Sequence, residues 1–336
     1  MNTVLPATDT RCRIDLEGWD AGNADRIWSD SRPASFRTAF IEFGELLAQH
    51  VDDPASVALI IPVDMADAVR RREDGPSYTA QRGSGFVSAR TMSMPGGRVD
   101  VILNPGWLHA FDTPDHIRHA MRDIRRCLVH EAQHVIMHQR GSGFDAYAYG
   151  AESGATNQEF ARCAAKVCDE HRAEWQAIQL TEHEPVTAGD VVPVLEALGS
   201  QLAAAHDGYQ AAPQRPGAIS ELAGAALSSC VNLWTTLGYW IAQYRADDAN
   251  IADIPAEIRG LPLWERYVGD VWSVLWLDGL RTLPVENLTT SPEILCVAMR
   301  NVAATLRTSL ETIGFRYYDD SDLGPIFRII RFDFPH

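Results

Sequence analysis

The sequence predicts an α+β protein, with a small β-sheet near the N-terminus followed by a half that is mostly helical. Short apolar runs bounded by Pro, Gly and Asp lie before residue 104, and apolar residues recur at helical spacing over long stretches after it. With 336 residues, 46% of them hydrophobic, the chain can bury a substantial core. We expect two domains, 1–185 with the sheet and 186–336 with helices and a C-terminal strand.

The predicted sheet uses segments from the first third of the chain. Residues up to about 30 show no clear period, and residues 36–47 then form an amphipathic helix. The run Val-Ala-Leu-Ile-Ile-Pro-Val at 57–63 predicts a buried strand. Segments 85–92 and 99–103 predict a hairpin that turns at the intervening Pro-Gly-Gly.

The second half is predicted to be helical because its apolar residues follow the α-helical period. Helices are expected over residues 191–206, 219–244, 263–280 and 292–313. Tryptophans at positions 234, 240, 264, 272 and 276 are expected to pack between them. A linker is expected at 210–217, and a closing strand at 326–334 is expected to complete the N-terminal sheet.

One further helix contains the most informative motif in the sequence, His-Glu-Ala-Gln-His at residues 130–134. The helix has a start signal in Thr113-Pro114-Asp115 and a stop signal in Gly141. Apolar residues at helical spacing indicate a buried stripe on another face of this helix; they are Ile117, Met121, Ile124, Leu128 and Val135.

His130 and His134 are spaced to bind one metal ion. Residues four apart on a helix differ by about 40° around its axis, so both imidazoles point the same way. Glu131 then lies beside the metal, where a carboxylate acts as the general base for a metal-activated water. His138 continues the same face but lies a further turn along the axis, about 6 Å away, so we place it outside the ligand set.

A catalytic zinc ion needs a third protein ligand. Residues 158–180 predict a second helix, on which Glu170 and Glu174 form an i, i+4 pair. One of these carboxylates can bind the metal while the other accepts a hydrogen bond from a ligating imidazole.

With these motifs, residues 115–180 resemble the gluzincin metallopeptidases, in which His-Glu-x-x-His on one helix is completed by a glutamate on a later helix. The resemblance implies a zincin-like catalytic domain, Zn²⁺ as cofactor and a peptide or protein as substrate. It also implies that Glu170 is the third ligand. Glu174 would replace the aspartate that supports a ligating histidine in that family.

The segment 141–150, Gly-Ser-Gly-Phe-Asp-Ala-Tyr-Ala-Tyr-Gly, is similar to the loop that follows the zinc helix in aspzincins. That resemblance makes Asp145 an alternative third ligand and Tyr149 a candidate for stabilising the oxyanion of the transition state. Other candidates for the oxyanion role are His171, Tyr147, and Arg316 with Tyr317 if their segment folds back.

Composition restricts the partners and the location. The 29 basic and 45 acidic residues give a formal net charge of −16, which disfavours nucleic acid and anionic membranes. An uninterrupted apolar run of about 18 residues is absent, and the N-terminus lacks the pattern of a secretory signal. Six scattered cysteines favour reduced thiols. We therefore expect a cytoplasmic protein.

Two other functions fit the same residues. Two histidines and one carboxylate also form the iron site of non-haem oxygenases, so a small-molecule enzyme is one alternative. A non-catalytic regulatory or binding protein with a structural metal is the other. The position of Glu131 next to His130 favours hydrolysis over the iron enzyme.

Overall fold

The computed structural model describes eleven stretches of the chain: residues 3–4, 11–30, 35–73, 78–82, 85–110, 114–150, 154–182, 186–246, 254–269, 271–286 and 288–331. The chain divides into two compact units, one of residues 1–140 with 180–182 and one of residues 141–179 with 183–336. A small sheet precedes a mostly helical second half, which confirms the predicted α+β class.

The first unit contains a five-stranded sheet. In chain order, its strands and a separate short pair are β1 (Thr3–Val4), β2 (Arg13–Glu17), β3 (Val57–Pro62), β4 (Gln81–Arg82), β5 (Gly85–Phe86), β6 (Ala89–Ser93) and β7 (Val99–Leu103). The sheet order is β1-β2-β3-β7-β6, and β4 pairs with β5 in a separate two-stranded sheet. Strands β2, β3 and β7 are parallel, whereas β6 is antiparallel to β7 and forms one edge.

The described residues of this unit include the helices α1 (Ala21–Ser29), α2 (Phe36–Gln49), α3 (Met65–Arg70) and α4 (Pro114–Gln139). Apolar side chains of α2 and α4 share one buried cluster with side chains of β2, β3 and β7. Phe40 and Phe43 of α2 and Leu128 of α4 are completely buried in it. The amphipathic helices therefore bury their apolar stripes against this sheet.

Most predicted elements of this unit are confirmed, with two corrections. The strand predicted over 85–92 is divided, because residues 85–86 pair with β4 and β6 begins at Ala89. The stretch before residue 30, which showed no clear period, forms β2 and α1. The predicted turn before β7 is confirmed, with Gly96 and Gly97 at φ of 80° and 77°.

The second unit is built mainly from helices: α5 (Ala155–Leu180), α6 (Ala188–Ala211), α7 (Ala218–Ala246), α8 (Ala256–Arg259), α9 (Pro262–Tyr267), α10 (Val271–Val274) and α11 (Pro292–Ile313). Its core contains Trp234 and Trp272, both almost completely buried, as expected for tryptophans between helices. The helices predicted over 191–206, 219–244 and 292–313 are confirmed. The linker is shorter than predicted, since α6 continues to Ala211.

The single helix predicted over 263–280 is wrong. The chain leaves the helix after Tyr267, and Gly269 has a φ of 42°, in the left-handed region. A π-helical turn at Leu275–Gly279 follows α10. A Cβ on Gly279 would lie 2.7 Å from Cγ2 of Val302, so the glycine allows α11 to approach closely. Apolar periodicity alone does not reveal these breaks.

The closing strand does not complete the N-terminal sheet, contrary to the prediction. Strand β9 (Gly324–Ile329) pairs with β8 (Phe315–Asp320) in a separate antiparallel hairpin. A short connection makes this local pairing cheap in loop entropy. The last part of the predicted strand, 332–334, lies outside the described residues.

The hairpin also holds the start of α5. Asp319 at the end of β8 accepts a hydrogen bond of 2.7 Å from the hydroxyl of Thr156 and one of 3.3 Å from its backbone N–H. These bonds satisfy a donor that the first turn of a helix leaves without a partner. The position of α5 is thereby tied to the hairpin.

Candidate metal centre

Helix α4 supplies the first part of the site. It starts at Pro114 and ends before Gly141, whose φ is 65°, as its start and stop signals predicted. Ile124, Leu128 and Val135 are buried in the core of the first unit. This packing fixes the position of the helix on both sides of the His-Glu-Ala-Gln-His motif.

The two histidines face each other. The Nε2 atoms of His130 and His134 are 3.2 Å apart, and their ring planes meet at 70°. Two nitrogens bound to a tetrahedral zinc ion at 2.0–2.1 Å would be about 3.3 Å apart. The imidazole pair therefore has the spacing of two ligands of one metal ion.

Glu131 contacts the sheet edge through one of its carboxylate oxygens. The hydroxyl of Thr91 on β6 lies 2.7 Å from Oε2 of Glu131 and 3.2 Å from its backbone carbonyl oxygen. Glu131 is buried, with 7% of its surface exposed. A carboxylate next to two facing imidazoles is the arrangement that water activation requires.

His138 is held elsewhere. Its Nδ1 lies 2.9 Å from the hydroxyl of Ser93, also on β6. This contact occupies one ring nitrogen of His138, and its place outside the ligand set stays a prediction.

Helix α5 presents the two glutamates to α7. The phenol of Tyr239 donates a 2.6 Å hydrogen bond to Oε2 of Glu170, and the amide of Gln243 donates one of 3.3 Å to Oε1 of Glu174. Neither Tyr239 nor Gln243 was among the residues predicted for the site. The sequence does contain a signal for these contacts. Tyr239 and Gln243 are four residues apart on the helix predicted over 219–244, which is also the spacing of the two glutamates.

Among the residues that the structure describes, one group of His, Cys, Asp and Glu side chains brings potential ligand atoms together. It consists of His130, His134 and Glu170, whose ligand atoms all lie within 4.8 Å of one another. Two imidazoles and a carboxylate suit zinc and also non-haem iron. The donor set fits the predicted metal, while its identity stays a prediction.

The alternative third ligands differ in their surroundings. Asp145 lies in a short 3₁₀ turn, Phe144–Gly150, and is exposed. Glu174 is buried and accepts the hydrogen bond from Gln243. Neither belongs to the group of ligand atoms found within the described part of the chain.

His171 has the contacts of a packing residue. It is completely buried, and its Nδ1 lies 2.9 Å from the carbonyl oxygen of Gly238. Burial lowers the pKa of His171 to about 3, so the ring is neutral. These contacts do not support its predicted catalytic role.

The other candidates for oxyanion stabilisation either contact neighbouring residues or have side chains that the structure does not describe. Tyr147 is fully buried, and burial raises the pKa of its phenol well above the usual value. Arg316 pairs with Glu311 at 2.9 Å, and Tyr317 packs against Phe327. The side chain of Tyr149 lies outside the described part of the structure.

Cys163, Cys168, Cys230 and Cys296 are buried thiols, and none of them belongs to the metal group. In the part of the chain that the structure describes, no helix combines the length and the apolarity needed to cross a membrane. No family model matches the chain, and neither a curated protein nor a solved structure matches it.

Proposed function

We propose that the protein is a zinc-dependent hydrolase that cleaves peptide bonds. The observation that carries this proposal is the group of ligand atoms of His130, His134 and Glu170. The 3.2 Å spacing of the two imidazole nitrogens adds support, because it matches two corners of a tetrahedral zinc site.

Zinc bound there would supply a Lewis acid that polarises water and the carbonyl of the substrate. Glu131 is the general base in this proposal. It removes a proton from the attacking water and later gives it to the leaving amine. One of its oxygens is held by Thr91, so the carboxylate has a defined orientation for both transfers.

The sheet supports a peptide as the substrate. Strand β6, which contacts Glu131, is antiparallel to its neighbour and forms an edge of the sheet. An edge strand can pair with an extended peptide through backbone hydrogen bonds. The buried thiols of Cys163, Cys168, Cys230 and Cys296 support a reducing compartment such as the cytoplasm.

Metal analysis of protein purified without added metal is the first test. We expect about one zinc per chain. Bound iron together with oxygen-dependent turnover would replace the hydrolase by a non-haem iron enzyme.

The second test compares wild type with Glu131→Gln on a mixed library of peptides, with mass spectrometry of the new N-termini. We expect the variant to keep its zinc and to lose cleavage by at least about 100-fold. Cleavage that is equal in both proteins, or absent from the wild type, would contradict a peptidase. If wild type cleaves no peptide, the remaining interpretation is a structural or regulatory metal site.

A further inference from the structure

The hydrogen bond between Thr91 and Glu131 connects the sheet edge with the general base. An ionised carboxylate can only accept, so the hydroxyl of Thr91 is the donor. The distance of 2.7 Å to Oε2 is that of a good O–H···O bond, and the carbonyl oxygen of Glu131 at 3.2 Å is the weaker acceptor. A residue on a strand thus holds a carboxylate on a helix.

The two oxygens of this carboxylate have different surroundings. Oε2 accepts the bond from Thr91, whereas Oε1 accepts no hydrogen bond from any described residue. A glutamate has three side-chain torsions, and a hydrogen bond at one oxygen limits them while the other oxygen keeps its lone pairs. The arrangement leaves Oε1 as the atom that can take a proton.

Thr91 is itself held firmly. It pairs with Val101 in the antiparallel ladder of β6 and β7, and its branched side chain has few rotamers. Ser93, two positions along and on the same face of β6, contacts His138 further along α4. Strand β6 therefore contacts α4 through the hydroxyls of Thr91 and Ser93, and of these two the hydroxyl of Thr91 reaches Glu131.

We propose that Thr91 is a positioning residue, which orients the Glu131 carboxylate so that Oε1 faces the water that is to be deprotonated. The proposal rests on the proposed hydrolytic function. Correct orientation matters more for the chemical step than for substrate binding. Loss of the hydroxyl should consequently lower kcat while leaving KM nearly unchanged.

The kinetic test uses the peptide that wild type cleaves fastest in the library. Thr91→Val keeps the shape and the strand preference of the side chain but removes the donor. We expect kcat to fall about 10- to 100-fold, with KM within about twofold of wild type. Thr91→Ser restores the hydroxyl and should recover most of kcat. An unchanged kcat in Thr91→Val, or a serine variant as slow as the valine variant, would overturn the proposal.

A second measurement uses the metal-free protein and needs no activity. Thermal unfolding of Thr91→Val, Glu131→Ala and the double variant gives a double-mutant cycle. We expect Thr91→Val to lower the melting temperature less when Glu131 is already alanine. Ser93→Ala is the matched control, because it removes a hydroxyl from the same face of β6 that does not contact Glu131. Its effect should be the same in both backgrounds.

The two measurements separate this inference from the proposed function. If wild type cleaves no peptide, the peptidase proposal fails, and the cycle decides whether Thr91 holds Glu131. Equal effects of Thr91→Val in both backgrounds would overturn the inference, even in an active peptidase.

Discussion

Tyr239 and Glu170 are joined by a hydrogen bond of 2.6 Å, in which the phenol donates to Oε2 of the carboxylate. Groups that hydrogen-bond a ligating carboxylate fix its orientation and its affinity for the metal. If Glu170 is the third ligand, Tyr239 determines which of its oxygens is available to the ion.

Replacing Tyr239 by phenylalanine should therefore weaken zinc binding. Partners of this kind typically contribute about 10- to 100-fold in metal affinity, and we expect a loss in that range. Competition with a chromophoric chelator measures it. Tyr318→Phe on β8 is a matched control, since that ring packs under Arg328 and should keep wild-type affinity. Equal affinities of Tyr239→Phe and wild type would count against Glu170 as a ligand.

The histidines at positions 130, 134 and 138 of α4 should separate into two ligands and one non-ligand. His134→Ala removes one of the two facing nitrogens, so we expect loss of stoichiometric zinc. His138→Ala changes a residue that contacts Ser93, and should keep one zinc per chain. Metal content after dialysis distinguishes the two variants, and loss of zinc from both would place His138 in the ligand set.

Arg172 should be important for the stability of the second unit. Its side chain is completely buried, and it donates to the carbonyl oxygens of Ser142 at 2.6 Å and Leu288 at 3.1 Å. Arg172→Met removes this donor from both buried acceptors and leaves Leu288 with only the hydroxyl of Ser142, and we expect a loss of about 3 kcal/mol in the free energy of unfolding.

Urea denaturation followed by tryptophan fluorescence measures this loss. Arg162→Met on the same helix is the control, because Arg162 is 64% exposed in its ion pair with Glu159. An exposed pair contributes less than about 1 kcal/mol. Equal losses in the two variants would show that the buried hydrogen bonds of Arg172 contribute little.

The stability of the first unit should decrease in acid because of Glu17. Burial opposes ionisation of Glu17, but hydrogen bonds from Arg72 and Arg71 outweigh it and lower the pKa of the carboxyl. Arg72 lies 2.6 Å from Glu17 and 2.8 Å from Asp100. A lowered folded pKa stabilises the protein above the unfolded value of about 4.3, and this contribution is lost as the pH falls through the folded pKa.

Unfolding free energies of wild type and Glu17→Gln between pH 7 and pH 3 test this prediction. The variant should be less stable than wild type at neutral pH, and the difference should shrink as the pH falls below about 4.3. A difference that is constant over this range would mean that the ionised form of Glu17 is not the stabilising species.

Local signals in the sequence predicted most of the helices. The helix over 292–313 has Pro292 at its first position and Gly314 just after its end, and both limits agree with α11. Strand β8 was not predicted, because it becomes a strand by pairing with β9, and a local sequence pattern does not specify that pairing. The break after Tyr267 coincides with the left-handed Gly269, a conformation that a periodic apolar pattern does not encode.

The candidate site was predictable in the same local sense. His130, Glu131 and His134 lie in one short motif on a helix, so their spacing alone indicates a metal-binding site. Thr91 lies 40 residues from Glu131, and Tyr239 lies 69 residues from Glu170. Contacts over such separations arise only when strands and helices pack, so a single sequence does not specify them.

The cap on α5 sets an order of events during synthesis. Thr156 is capped by Asp319, 163 residues further along the chain. The helix that carries Glu170 therefore obtains its cap only after residue 319 has left the ribosome, long after the two histidines have emerged. A nascent chain that exposes the histidine pair early would still lack a capped carboxylate helix, so the proposed metal centre would be completed only when nearly all of this sequence has been made.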